Sequence, residues 1–159
     1  MYKKAQATFT DFYTALLIFV VLLMLLFFLW NKFSVRLDAT QEYNEMIGKA
    51  YHISDLLVKN QGKPLLWEND PVNAETIGLA YSDRNISLAK LNNFTNLDQK
   101  KTKDLLSINP YEFYFTVNTL NGSNITSYGK EFSGDVSVNI RRYVLLENEK
   151  RIMEFILWK

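Results

Sequence analysis

The stretch FYTALLIFVVLLMLLFFLW, residues 12–30, runs for nineteen residues without a charge, a Gly or a Pro. As an α-helix rising about 1.5 Å per residue it would reach roughly 28 Å, close to the hydrocarbon thickness of a bilayer. A helix that is apolar on every face cannot be buried by a soluble domain of this size. The run therefore predicts a chain held by its N-terminal part in a membrane, or in an equally apolar bundle.

Composition bounds the remainder. Setting aside the run and what precedes it leaves about 125 residues, enough for one modest domain. The chain holds 18 Lys and Arg against 17 Asp and Glu. Without Lys3, Lys4 and Asp11 each sign counts 16, so the basic excess that a nucleic-acid groove needs is missing and no nucleic-acid partner is expected. No long block of like charge marks a polybasic lipid patch. Cysteine is absent, so no disulfide or thiolate is available. Eleven Phe, nine Tyr and three Trp, many beyond the run, predict a packed domain rather than a disordered tail.

The flanks of the run decide between a signal peptide and an anchor. Trp30-Asn31-Lys32-Phe33 follows it, a poor cleavage context that argues against a removed secretory signal. Lys3 and Lys4 favour a cytoplasmic N-terminus, a bias that Lys32 and Arg36 weaken. The short N-terminal tail and the large C-terminal part favour the same orientation. The expected localisation is a single-pass membrane protein with an extracytoplasmic C-terminal domain.

Just before and into the run stands Lys3-Lys4-Ala5-Gln6-Ala7-Thr8-Phe9-Thr10-Asp11-Phe12. This segment resembles the class III signal sequence of archaeal type IV pilins and pilin-like proteins, which has a very short basic leader, a small residue, Gln, and then an apolar helix. The resemblance implies a leader at residues 1–5 and cleavage between Ala5 and Gln6 by a membrane prepilin peptidase. Residues 6–30 would then anchor the mature chain in the lipid bilayer and later pack among other pilin subunits in a filament. Many family members have Gly in place of Ala5 and Glu in place of Thr10. The family's carboxylate is thought to pair with a neighbouring subunit's new amino terminus. Asp11 is one position away and reads equally as a helix N-terminal acid at the headgroup level. Asp11, Phe12 and Trp30 mark the ends of the membrane or assembly helix.

Residues 31–61 continue the helical pattern, with no Pro and only Gly48 before the stop at Lys59-Asn60-Gln61-Gly62-Lys63-Pro64. Leu37, Thr40, Tyr43, Ile47, Ala50, Ile53 and Leu57 recur at spacings of three and four and draw one stripe. One helix from Ala5 to Asn60 would be roughly 85 Å long. Its amphipathic half is expected to pack on the rest of the chain, with a coiled-coil stalk as the alternative.

Residues 62–159 predict an extracytoplasmic α+β head. Residues 77–81 read as a short buried strand, and Leu88, Leu91 and Phe94 as one helical face. Asp98 is placed to cap a short helix through Leu106, with Leu97, Leu105 and Leu106 inward. Strands are expected over residues 111–120, 125–132, 136–141 and 151–158, with turns at Asn121-Gly122 and residues 147–150. In the last strand Met153, Phe155 and Leu157 point inward. The expected fold class is α+β, a long N-terminal helix packed on an antiparallel sheet of four or five strands. The order of elements also resembles archaeal pilin-like proteins in architecture.

Catalytic chemistry is not legible. His52 is the single His and sits on the amphipathic helix without ligand-spaced partners, so neither a metal site nor a triad is expected. No Gly-rich phosphate loop occurs, and no cofactor and no enzymatic activity are expected. Four glycosylation acceptor sequences begin at Asn85, Asn93, Asn121 and Asn124, all beyond the apolar run. Asn121 and Asn124 fall at a predicted hairpin tip, whereas Asn93 lies in a helical pattern beside core residues. Two functions remain: a pilin-like surface subunit that polymerises through its apolar helix, or a permanently anchored protein with an extracytoplasmic binding or sensory domain.

Overall fold

The structure, a computed structural model, describes residues 2–159, with side-chain surroundings for residues 10–34 and 40–159. It divides into two compact units, Met1–Tyr43 and Asn44–Lys159. One helix, α1 (Tyr2–Lys59), contributes to each, in accord with the unbroken helical pattern of the sequence.

In the first unit every described side chain is exposed. That corrects the upper part of the predicted stripe: Thr40 and Tyr43 are exposed, and Leu37 falls outside the described side chains. Burial begins in the second unit. Met46, Ala50, Ile53 and Leu57 are buried at spacings of four, three and four, with Val58 beside them and Ile47 partly covered. The end of α1 is sewn into the domain by its own carbonyls. Leu57 O accepts from Leu79 N at 2.9 Å, and Val58 O from Arg84 N at 2.9 Å. These bonds satisfy groups that a helix terminus leaves without intrahelical partners.

Two single 3-10 turns, Trp67–Asn69 and Pro71–Asn73, follow. Trp67 is fully buried and donates its indole N–H to Gly78 O at 2.9 Å. Helix α2 (Leu88–Thr95) buries Leu91 and Phe94, while Leu88 turns 40% exposed. Helix α3 (Gln99–Leu105) starts at Asp98, whose carboxylate accepts from Lys101 N at 3.2 Å, as the sequence predicts.

The sheet has six strands: β1 (Ala80–Ser82), β2 (Asn85–Ile86), β3 (Glu112–Thr119), β4 (Asn124–Gly129), β5 (Ser137–Leu146) and β6 (Glu149–Trp158). Their order is β1-β2-β5-β6-β3-β4. The α+β class is as expected, but the sheet is larger than predicted and mixed, because β2 runs parallel to β5. Two residues, Asn85 and Ile86, make that strand, too few to show any alternation in the sequence. The predicted strand at residues 77–81 shortens to β1. Ile77 and Leu79 are buried without being strand, and Tyr81 points outward.

The inner face of the sheet follows from its register. Val138, Leu157 and Phe113 form one row, and Ile140, Phe155 and Phe115 the next. All six are buried, and the rings of Phe113 and Phe155 stack at 5.9 Å. Phe94 of α2 meets Phe115 edge-on at 5.1 Å. The third row holds Arg142, Met153 and Val117, so a guanidinium takes a place that the period of two reserves for apolar side chains.

Candidate functional site

Thr10–Ser34 is a 25-residue helical segment whose most apolar 18 residues have a mean hydropathy of 2.9 and no burial inside the protein. Between residues 12 and 33, eighteen large apolar side chains are exposed, among them Phe12 at 64% and Trp30 at 76%. Moving such side chains out of water stabilises by about 1.5–3 kcal/mol each. Even halved for partial exposure, the sum is on the order of 20 kcal/mol, larger than the whole stability of a typical domain. The segment is thus long and apolar enough to cross a membrane. Its internal polar groups are also spent: the Thr14 hydroxyl lies 2.9 Å from both Thr10 O and Asp11 O. Asp11 is exposed at the start of the segment and Lys32 near its end. By length and composition this is the one candidate membrane span among the described residues. Ala5 and Gln6, the predicted processing site, lie outside the described side chains, and Met1 lies outside the described residues.

The four acceptor sequences divide by geometry. Asn121 and Asn124 are both exposed, in the turn after β3 and at the start of β4. Asn85 lies in β2, next to buried Ile86, and the Ser87 that completes its sequence caps α2. Asn93 lies within α2, where its amide donates to Ala89 O at 3.1 Å and Phe94 beside it is fully buried. His52 is exposed on α1. Among the described residues no group of three or more His, Asp or Glu could hold a metal ion.

Sequence reasoning missed Arg142 as a site-forming residue. Its guanidinium lies 2.7 Å from Asp55, donates to the buried Ser54 hydroxyl, and sits over the Tyr51 ring at 5.4 Å. Lys59 bonds the same Asp55 at 2.7 Å. The Lys59 bond holds the Asp55 carboxyl below its ordinary range; burial opposes that shift and the charge of Arg142 assists it. The signal was available, because the alternation that sends Val138 and Ile140 inward sends Arg142 inward too. A second polar pair is buried near α3. Thr102 and Tyr128 hydroxyls meet at 2.9 Å, and Tyr128 donates to Leu97 O at 2.8 Å. Burial raises the Tyr128 phenol above its ordinary value, against the pull of the Thr102 bond.

Compared with known proteins, the chain matches no family model, no curated protein and no solved structure. The architecture itself defines a class: one N-terminal apolar helix followed by a C-terminal β-sheet domain fits a membrane-anchored protein.

Proposed function

We propose that the protein is a type IV pilin-like surface subunit. A prepilin peptidase cuts between Ala5 and Gln6, the apolar helix holds the mature chain in the bilayer, and the same helix later packs against those of other subunits. The observation that carries this reading is the uncovered segment Thr10–Ser34, which needs an apolar surrounding that its own chain does not supply. Lipid supplies it first, and sister helices can replace lipid without returning the surface to water. The domain Asn44–Lys159 would be extracytoplasmic, with glycans at the exposed Asn121 and Asn124. No cofactor, catalytic role or nucleic-acid partner enters this proposal.

The test is co-expression with a prepilin peptidase, followed by mass spectrometry of the N-terminal peptide and electron microscopy of sheared surface material. A mature chain beginning at Gln6, lost in Gln6→Pro, together with the protein in filaments, is the expected result. An intact N-terminus and a protein confined to the membrane fraction would favour the second reading, a permanently anchored protein with a binding or sensory domain. One feature favours that alternative. The run has no Gly and only Ala15 as Ala, whereas closely packed helices use small residues to bring their backbones together.

A further inference from the structure

We propose that the domain Asn44–Lys159 carries a phosphate-binding cleft where the end of α1 meets the edge of β5. The cleft is open to solvent and spans about 210 Å³, and the residues along it are Asp55, Val58, Lys59, Arg84, Arg141, Arg142 and Tyr143. Lys59 and Arg142 share Asp55, and Arg141 pairs with Glu154 at 2.7 Å. Arg141 turns its guanidinium to the outer face of the sheet, where it pairs with Glu154, so Lys59, Arg84 and Arg142 against Asp55 leave an excess of two positive charges at the cleft. Arg84 makes no direct hydrogen bond or ion pair with another side chain among the described residues, and its charge acts on Asp55 from a greater distance.

The backbone holds Arg84 in place. It has φ 58, in the left-handed region that turns normally give to Gly or Asn. Its N–H donates to Val58 O at 2.9 Å and its carbonyl accepts from Leu145 N at 2.8 Å, so the strained residue is fixed between α1 and β5. The carbonyl end of α1 carries partial negative charge, which Lys59 and Arg142 offset, so an anion in the cleft relies on Arg84 for the remaining attraction.

Size and charge select the ligand. The cleft holds roughly seven waters at about 30 Å³ each, and it falls below the roughly 300–1,000 Å³ typical of sites for larger ligands. It therefore takes one charged group. A phosphate monoester carries about −1.5 to −2 near neutral pH and matches the excess of two, which a carboxylate does not. Guanidinium forks favour its oxygens in bidentate geometry. The group reaches the cleft either as the free ion or on a phosphorylated glycan or lipid headgroup.

The full chain in neutral detergent micelles, titrated calorimetrically with inorganic phosphate and with glycerol phosphate at constant ionic strength, provides the test. Saturable single-site binding is expected, stronger for inorganic phosphate if the free ion is the ligand and for the ester if a headgroup is. Arg84→Asn relieves the backbone and removes the charge, so it should keep or raise thermal stability while weakening binding at least tenfold, about 1.4 kcal/mol. Equal binding by Arg84→Asn and the natural chain, equally tight acetate binding, or no saturation would overturn the proposal.

Discussion

Nη2 of Arg142 lies 2.7 Å from Oδ1 of Asp55 and joins the inner face of β5 to α1. The same guanidinium reaches the fully buried Ser54 hydroxyl from Nε at 3.3 Å and from Nη2 at 3.2 Å. Its row is completed by Met153 and Val117, both fully buried. An apolar side chain at position 142 would fill the row but would leave Asp55 to Lys59 alone. Arg142→Met should therefore destabilise the domain by about 1–2 kcal/mol in urea denaturation, since it keeps the packed stem and loses the bonds. A double-mutant cycle with Asp55→Asn should give a coupling below about 1 kcal/mol, because both side chains are partly solvated. A coupling of several kcal/mol would mean that the pair is dry.

Asp55 also sets an acid response. Its folded-state carboxyl titrates below its ordinary value, chiefly through the Lys59 bond, with Arg142 assisting. The unfolded chain then binds more protons than the folded one as pH falls, so stability must rise with pH across the acid range. The contribution is fully present above the unfolded value of about 4 and is lost as pH falls through the lower folded value. Stability measured against pH should show a shallower acid limb in Asp55→Asn than in the natural chain. Identical limbs would remove Asp55 from the response.

Two glycines predict opposite outcomes from one substitution. Gly48 lies in α1, and a Cβ there meets nothing within 4 Å. Gly48→Ala should stabilise by roughly 0.5–1 kcal/mol through helix propensity. A Cβ on Gly78 would lie 2.2 Å from Asn60 O and 2.7 Å from Gly62 N, backbone atoms at the end of α1 that cannot swing aside. The same approach lets Gly78 O accept from the Trp67 indole. Gly78→Ala should cost about 1–3 kcal/mol or more by overpacking, and thermal unfolding of the two variants side by side should split in sign.

The sequence made legible whatever a period could carry. Met153, Phe155 and Leu157 alternate in β6 and are all fully buried, and Asp98 caps α3 as its position before Gln99 implies. The apolar run was legible from length alone. What escaped had no period. Asn85 and Ile86 pair in parallel with Leu145 and Leu146 through a contact some sixty residues away in the chain, which two residues cannot announce. Trp67 stands between two exposed leucines, Leu65 and Leu66, and a polar turn, yet the indole reaches Gly78 O and is buried. Arg142 had the correct phase but the wrong chemistry for a core position. The phosphate cleft was invisible for a related reason: Lys59, Arg84 and Arg142 come from three separated segments, and only the fold brings them together.

The apolar helix offers a substitution that separates its two environments. Fourteen Leu, Ile, Phe and Val residues lie between positions 12 and 30, worth roughly 4–8 kcal/mol of insertion at about 0.3–0.6 kcal/mol each. An Arg at the centre of the span costs about 2.5–3.5 kcal/mol on the same scale, partly because its long stem lets the charge reach the interface. Val21→Arg should therefore still be inserted, and carbonate extraction should leave the protein in the membrane fraction. In a packed bundle of identical helices the same Arg has neither headgroups nor water, and each copy brings another positive charge with no partner. Leaving such a charge unpaired costs several kcal/mol per subunit. If the helix forms a filament core, Val21→Arg should abolish sheared filaments while the membrane-bound pool is retained. If the protein is permanently anchored, the variant should be distributed as the natural chain is, and the filament reading fails.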